Sequence, residues 1–334
     1  MIDLRRVLLL VLGLTLFVGC STRLAYDNLD WFTVRWVDQQ VSLDEAQRTL
    51  LRDVIEAQQL WHCATQLDDY QAWIEEARLD LLADRLDQQR LAEHGERLAE
   101  FGRTLAQRIQ PVLVELATSL DDQQVEEVLS SLDDRIAELR DEIESDSTDQ
   151  WAQQRAEGME RGLRRFMGRI NAPQRDRLER WARELEPTRT YQLAQRVYWR
   201  DRIAGALARR DDRAFLEQEV AALLEPSSVW PESYRQAIEA NRGRTLAALE
   251  EVFALMEPKQ RARLSSRLVR LGNDFERLSC EGEAPLAKLS VSREPPESPG
   301  AGLGRAHGVA LPRVALPQIK TPASFLAGAV FAVR

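Results

Sequence analysis

The sequence predicts an all-α fold: an elongated bundle of about nine or ten helices followed by a disordered C-terminal tail. Three observations carry this. Apolar residues recur at helical spacing from Leu43 to Leu278, with no sustained period-two pattern that would mark a sheet. Charged residues make up 30% of the chain, which suits long solvated helix faces better than strands. Gly and Pro are sparse until residue 281, where seven of 13 prolines and six of 16 glycines are concentrated.

The first segment is a targeting signal. Arg5 and Arg6 form a basic start, and Val7 to Val18 an apolar core too short to span a bilayer, which takes about 20 residues. Val18-Gly19-Cys20 then resembles a lipobox, the site where a signal peptidase cuts ahead of a cysteine that receives diacylglycerol. Residues 1–19 are therefore read as a lipoprotein signal peptide and Cys20 as the lipidated, palmitate-bearing residue. Phe17 stands where a lipobox usually has Leu. A plain secretory signal, or an uncleaved apolar anchor, is the alternative. Ser21, in place of an Asp, points by resemblance to lipoprotein sorting rules toward the outer membrane, with the chain facing the periplasm.

Residues 20–41 form an aromatic, membrane-proximal segment. Taken as a helix, it puts Leu29, Phe32, Trp36 and Val37 on one stripe. That stripe packs on the core or touches the membrane interface. Residues 42–280 follow as the helical domain. Leu51, Val54, Ile55 and Trp61 mark one helix and Tyr70, Trp73, Ile74 and Leu81 the next, with a joint near 65–69. Residues 87–118 read as one long helix containing Pro111, expected to kink it. Further helices are expected over 121–144, from a cap at 145–148 to about 169, and over 173–185 and 187–210. Asp211 or Asp212 opens the next, and Pro231 and Pro258 open the last two. Residues 281–334 cannot bury enough apolar surface to fold alone and are read as a disordered Pro/Gly-rich tail.

One helix start recurs. Leu43-Asp44-Glu45-Ala46-Gln47, Leu120-Asp121-Asp122-Gln123-Gln124, Ile170-Asn171-Ala172-Pro173-Gln174 and Met256-Glu257-Pro258-Lys259-Gln260 share an apolar residue, a polar cap, two free positions and Gln. Leu67-Asp68-Asp69-Tyr70-Gln71 is a weaker copy. The pattern is a capping box: the cap oxygen accepts from the third helical N–H and Gln accepts from the cap's own N–H. Each such cap stabilises its helix by about 1 kcal/mol.

Chemistry is thinly represented. His62, His94 and His307 are scattered, and no cluster has metal-ligand spacing. No phosphate loop, nucleophile elbow or other catalytic motif occurs. No catalytic, cofactor-binding or metal residue is assigned, no small-molecule substrate is evident, and the chain is read as a non-enzyme. A net charge of −9 argues against a nucleic-acid partner. Once Cys20 is lipidated, Cys63 and Cys280 remain. In an oxidising compartment they form a bridge closing nearly the whole helical region, or they stay as two buried thiols.

The repeated start resembles the Leu-Thr-x-x-Gln repeat of helical periplasmic stress chaperones of the Spy/CpxP type, with Asp, Asn or Glu replacing Thr. A second resemblance covers more of the chain. The lipobox, Leu24-Ala25-Tyr26-Asp27-Asn28-Leu29-Asp30-Trp31, Arg35-Trp36-Val37-Asp38, the Leu43 motif and Trp61-His62 look like an uncharacterised family of Gram-negative helical lipoproteins, classed as a domain of unknown function. This second resemblance implies an all-helical envelope lipoprotein and carries no known activity. The repeated cap motif, the anchor and the absence of site chemistry then lead to the expectation of a membrane-anchored periplasmic lipoprotein that binds or chaperones envelope proteins through amphipathic helices. The alternative is a structural or scaffolding lipoprotein in envelope integrity, with one specific protein partner.

Overall fold

In a computed structural model the described residues are 26–280. The expected signal peptide at 1–19, Cys20 and the expected tail at 281–334 lie outside them. Within the described residues there are eleven α-helices, one short 3-10 turn and no strand. The helices are α1 (Leu29–Asp38), α2 (Glu45–Thr65), α3 (Leu67–Leu82), α4 (Gln88–Ser119), α5 (Asp122–Ser145) and α6 (Thr148–Met167). They continue with α7 (Ala172–Glu184), α8 (Arg189–Leu207), α9 (Arg213–Leu224), α10 (Glu232–Ala254) and α11 (Pro258–Leu278).

The number exceeds the nine or ten expected because the aromatic segment is itself a helix of the body. Its buried face also differs from the expected stripe. Val34 is buried and Val37 half-buried, while Leu29 and Trp36 are exposed. The compact valines meet α2, and the larger side chains stay outside. Asp212, not Asp211, caps α9, accepting from the Phe215 N–H at 3.2 Å. The weaker copy at Leu67 is not a cap at all: α3 starts at Leu67, following Gln66, with no side-chain cap. Pro111 sits inside an unbroken α4.

Helix pairing follows the apolar stripes. α3 packs most extensively on α11, α6 on α7, α4 on α9, α5 on α8 and α7 on α10. Two of the core clusters form around the repeated starts. In the first, Leu43 and Leu120 are buried with Val34, Val41, Leu51 and Leu207. In the second, Ile170 and Met256 are buried with Leu81, Met167, Leu178 and Val252. Burying each such side chain contributes about 1.5–3 kcal/mol relative to leaving it exposed. The apolar residue heading each motif is thus a core residue, and the cap behind it sits at the edge of that core.

One turn depends on glycine. α6 ends at Gly168, whose φ is 86° and ψ −149°, a conformation open essentially to glycine alone. The next residues, Arg169 and Ile170, then enter the third motif. A Cβ at Gly168 would also lie 3.0 Å from the Arg263 Cδ. Gly168→Ala should therefore destabilise the fold by about 1–3 kcal/mol, read as a lowered urea midpoint. An unchanged midpoint would mean that the turn is not held in this conformation.

Candidate functional site

The four repeated caps come together in two pairs. At the first, the Asp44 carboxylate accepts from the Gln47 N–H at 2.8 Å, and the Gln47 Oε1 accepts from the Asp44 N–H at 2.9 Å. Asp121 and Gln124 repeat this at 2.8 and 3.0 Å. Asn171 and Gln174 do so at 3.0 Å both ways. At the fourth, the Glu257 N–H donates to the Gln260 Oε1 at 2.9 Å.

Each glutamine then reaches a second glutamine across the helix contact. Gln47 Nε2 donates to Gln124 Oε1 at 2.8 Å, and Gln124 Nε2 donates back at 2.7 Å. Gln174 and Gln260 exchange bonds of 3.2 and 2.9 Å in the same way. The remaining N–H of each amide meets a backbone carbonyl. Gln47 takes that of Ser119, Gln124 that of Ser42 and Gln260 that of Arg169. Each carbonyl belongs to the residue just ahead of the partner's motif. All four glutamines are buried, Gln174 completely. Two donors and two acceptors per amide are therefore all used, which is what lets an amide sit in a core without a large desolvation cost.

The second pair departs in one bond, for a chemical reason. By the pattern, Gln174 would take the Leu255 carbonyl, just ahead of Met256. The Asn171 side-chain NH₂ occupies that carbonyl instead, at 3.1 Å, and Gln174 donates to the Val252 carbonyl at 3.1 Å. Asp44 and Asp121 have no such donor, so the first pair is symmetric.

The capping boxes were legible in the sequence; their pairing was not. The available signal is Gln in all four copies, since Glu completes a capping box equally well but, as a carboxylate, cannot donate. A fifth box, at Ser147 and Gln150, accepts and donates at 3.2 and 2.7 Å but is exposed and pairs with nothing comparable.

A second cluster surrounds Cys63 and Cys280, which the structure joins by a disulfide with their Cα atoms 5.2 Å apart. Leu67 and Leu278 are buried beside it. The Ser279 hydroxyl donates to Asp68 at 3.0 Å, holding the end of α11 to the start of α3. Tyr26 enters from the other end of the described chain: its hydroxyl lies 3.1 Å from His62 Nδ1 and donates to the Gln59 carbonyl at 3.2 Å. Burial lowers the His62 pKa, so the folded ring favours the neutral form. Burial likewise pushes the Tyr26 and Tyr70 hydroxyls up to about 12. His62 thus sits among aromatic neighbours, Tyr26 and Tyr70, rather than beside a nucleophile.

The third cluster centres on Asp80, buried in α3. It accepts from Arg85 at 2.8 Å, from Arg90 at 2.5 Å and from His94 at 3.1 Å. Burial pushes its carboxyl up, but the hydrogen bonds from Arg90, Arg85 and His94 outweigh this and hold it below the ordinary range. Arg90 also binds Glu76 and Glu93. The group forms a brace between α3 and α4, beside a cleft of about 420 Å³ lined by Trp73, Glu76, Arg90, Glu93 and His94. The sequence signal was an acid inside the apolar run Leu79-Asp80-Leu81-Leu82, because a buried carboxylate needs partners. A larger groove of about 730 Å³ runs along α7 and α10, lined by Asp176, Glu179, Arg180, Arg183 and Glu251.

Among the described residues no group of three or more His, Cys, Asp and Glu side chains could hold a metal ion. No described helix is long and apolar enough to cross a membrane.

The model of a family of unknown function, DUF6279, covers residues 39–235. No curated protein and no solved structure matches the chain. The family match takes in α2 to α9 and the first three paired caps, while Gln260 and Cys280 lie beyond it.

Gln124→Ala strips Gln47 of its partner and frees the Ser42 carbonyl, and should cost about 1–3 kcal/mol in urea unfolding. The double replacement Gln47→Ala/Gln124→Ala should cost less than the sum of the singles, with a coupling of about 0.5–3 kcal/mol. Strict additivity would show that the two amides do not interact. His62 sets a pH dependence. Its folded pKa lies below the unfolded value of about 6.5, so its contribution is complete above that value and is lost as the pH falls through the lowered one. The urea midpoint should decline as the pH falls below about 6.5, and His62→Gln should flatten that decline. An equal decline in the variant would assign it elsewhere.

Proposed function

The chain belongs to this family of unknown function, and from that premise we propose a membrane-anchored periplasmic lipoprotein whose helical body binds or chaperones other envelope proteins. The reading places Cys20 as the lipidated residue and the outer membrane as the site of anchoring. The Cys63–Cys280 bridge supports it, since disulfides persist in oxidising compartments such as the periplasm.

The observation that carries the binding half is the apolar surface left on adjoining helices. Leu60 on α2, Leu79 and Leu82 on α3 and Val269 on α11 are all exposed, and α3 packs on both α2 and α11. Such side chains are available to a partially unfolded client or to an apolar partner surface. The repeated glutamines take no part in that contact, because they are buried at helix joints. That burial argues against any mechanism in which the repeated motif itself touches clients; the second reading is a scaffold with one specific protein partner.

An aggregating client protein followed by light scattering separates the two. At an equal molar ratio the chain should suppress aggregation, and Leu79→Ser/Leu82→Ser should weaken the suppression without unfolding the bundle. Absence of suppression, with one stoichiometric protein recovered from the envelope by cross-linking, would overturn the chaperone reading in favour of the scaffold.

A further inference from the structure

α1 has two faces of different character. At 3.6 residues per turn, Val34 and Val37 fall on one side and Leu29, Phe32 and Trp36 on the other, with Trp31 at the edge of the second group. The valine side packs into the first core cluster with Val41 and Leu43. The aromatic side is turned outward, with Phe32 half-buried within it. Trp31 and Trp36 are each 54% exposed and Leu29 is 37% exposed. Trp31 and Phe32 pack edge to face at 4.9 Å, and the Arg35 guanidinium lies 5.8 Å from the Trp31 ring centre. Arg35 is the one cation of α1 and lies on this aromatic side. Asp30 lies on the valine side and Asp38 near the boundary. An outward cluster of indoles with one arginine is the composition that settles at the headgroup level of a bilayer, where an apolar ring carries a polar edge.

Position singles out lipid as the occupant. Leu29 follows Cys20 by nine residues, which span at most about 30 Å of extended chain. With Cys20 acylated, this face lies within that distance of the membrane surface.

We propose that the outward face of α1, formed by Leu29, Trp31, Phe32 and Trp36 with Arg35, is a second membrane contact that lies in the lipid headgroup region and fixes how the helical body sits on the bilayer. The proposal rests on the lipoprotein reading above. Because Val34 holds the opposite face in the core, contact through α1 orients the whole body rather than a loose arm.

The test uses the full lipidated chain in vesicles of phosphatidylethanolamine with a minor fraction of phosphatidylglycerol, with and without brominated acyl chains that quench nearby tryptophan. Trp31 and Trp36 are two of eight tryptophans. Brominated lipid should quench part of the emission, and W31F/W36F should reduce that quenching about threefold or more while the protein still floats with the vesicles. W230F, altered far along the chain, should leave it unchanged. Flotation of the wild type with no quenching, or equal quenching in W31F/W36F, overturns the α1 contact and leaves the anchor standing. A Cys20→Ser chain that floats and is quenched like the wild type supports the α1 contact while overturning the acyl anchor. Emission that ignores brominated lipid but shifts with protein concentration assigns the face to a second copy of the chain and overturns the proposal.

Discussion

Two glutamine side chains that exchange both hydrogen bonds with each other, while each closes the start of its own helix, hold this bundle in register. Gln47 with Gln124 and Gln174 with Gln260 are separated by 77 and 86 residues in sequence, yet each pair meets with no atom to spare. The amide is the side chain suited to this task. Its oxygen accepts from the local cap and from the partner, and its nitrogen donates to the partner and to a carbonyl ahead of the partner's motif. A buried polar group unsatisfied in any of these bonds would cost more than the bond contributes. The pair therefore tolerates little displacement of one helix start relative to the other. The apolar residues heading the motifs, Leu43 with Leu120 and Ile170 with Met256, then fill the cores that grow from those joints.

What could be read from sequence divides along the same line. Helix starts were legible because a cap is local chemistry: Asp44 and Gln47 are three residues apart, and nothing distant is needed to recognise them. Starts marked by proline were legible for the same reason, as at Pro231 and Pro258. The face that α1 buries was not, since Val34 and Trp36 are equally apolar by composition and only the approach of α2 chooses between them. Nor was the pairing of the glutamines, nor the brace around Asp80, whose partners come from the turn that follows (Arg85) and from the next helix (Arg90 and His94). The closing bond between Cys63 and Cys280 stood as one of two options, because 217 residues of intervening chain say nothing about where its ends lie.

The electrostatics of the body are those of a cross-braced surface. Arg200 binds Asp133, Arg202 binds Glu219 and Arg189 binds Asp146, each tying one helix to another. Of these, Arg200–Asp133 is a surface pair of the kind that contributes about 0–1 kcal/mol, whereas Arg202–Glu219 and Arg189–Asp146 are partly buried. The Asp80 group differs because its carboxylate is almost wholly removed from water, so its arginines are required partners rather than decoration.

The bridge next to Tyr26 has a mechanical meaning. Tyr26 leads into the helical body against Gln59 and His62, and Cys280 leaves it bonded to Cys63, one residue from His62. Entry and exit of the chain share one end of α2. A pull applied between the leading segment and the trailing one would load this short covalent link and the contacts of Tyr26. The force would bypass α3 to α11, which lie within the loop that the disulfide closes, while α1 and α2 stay unloaded only as long as the Tyr26 contacts hold.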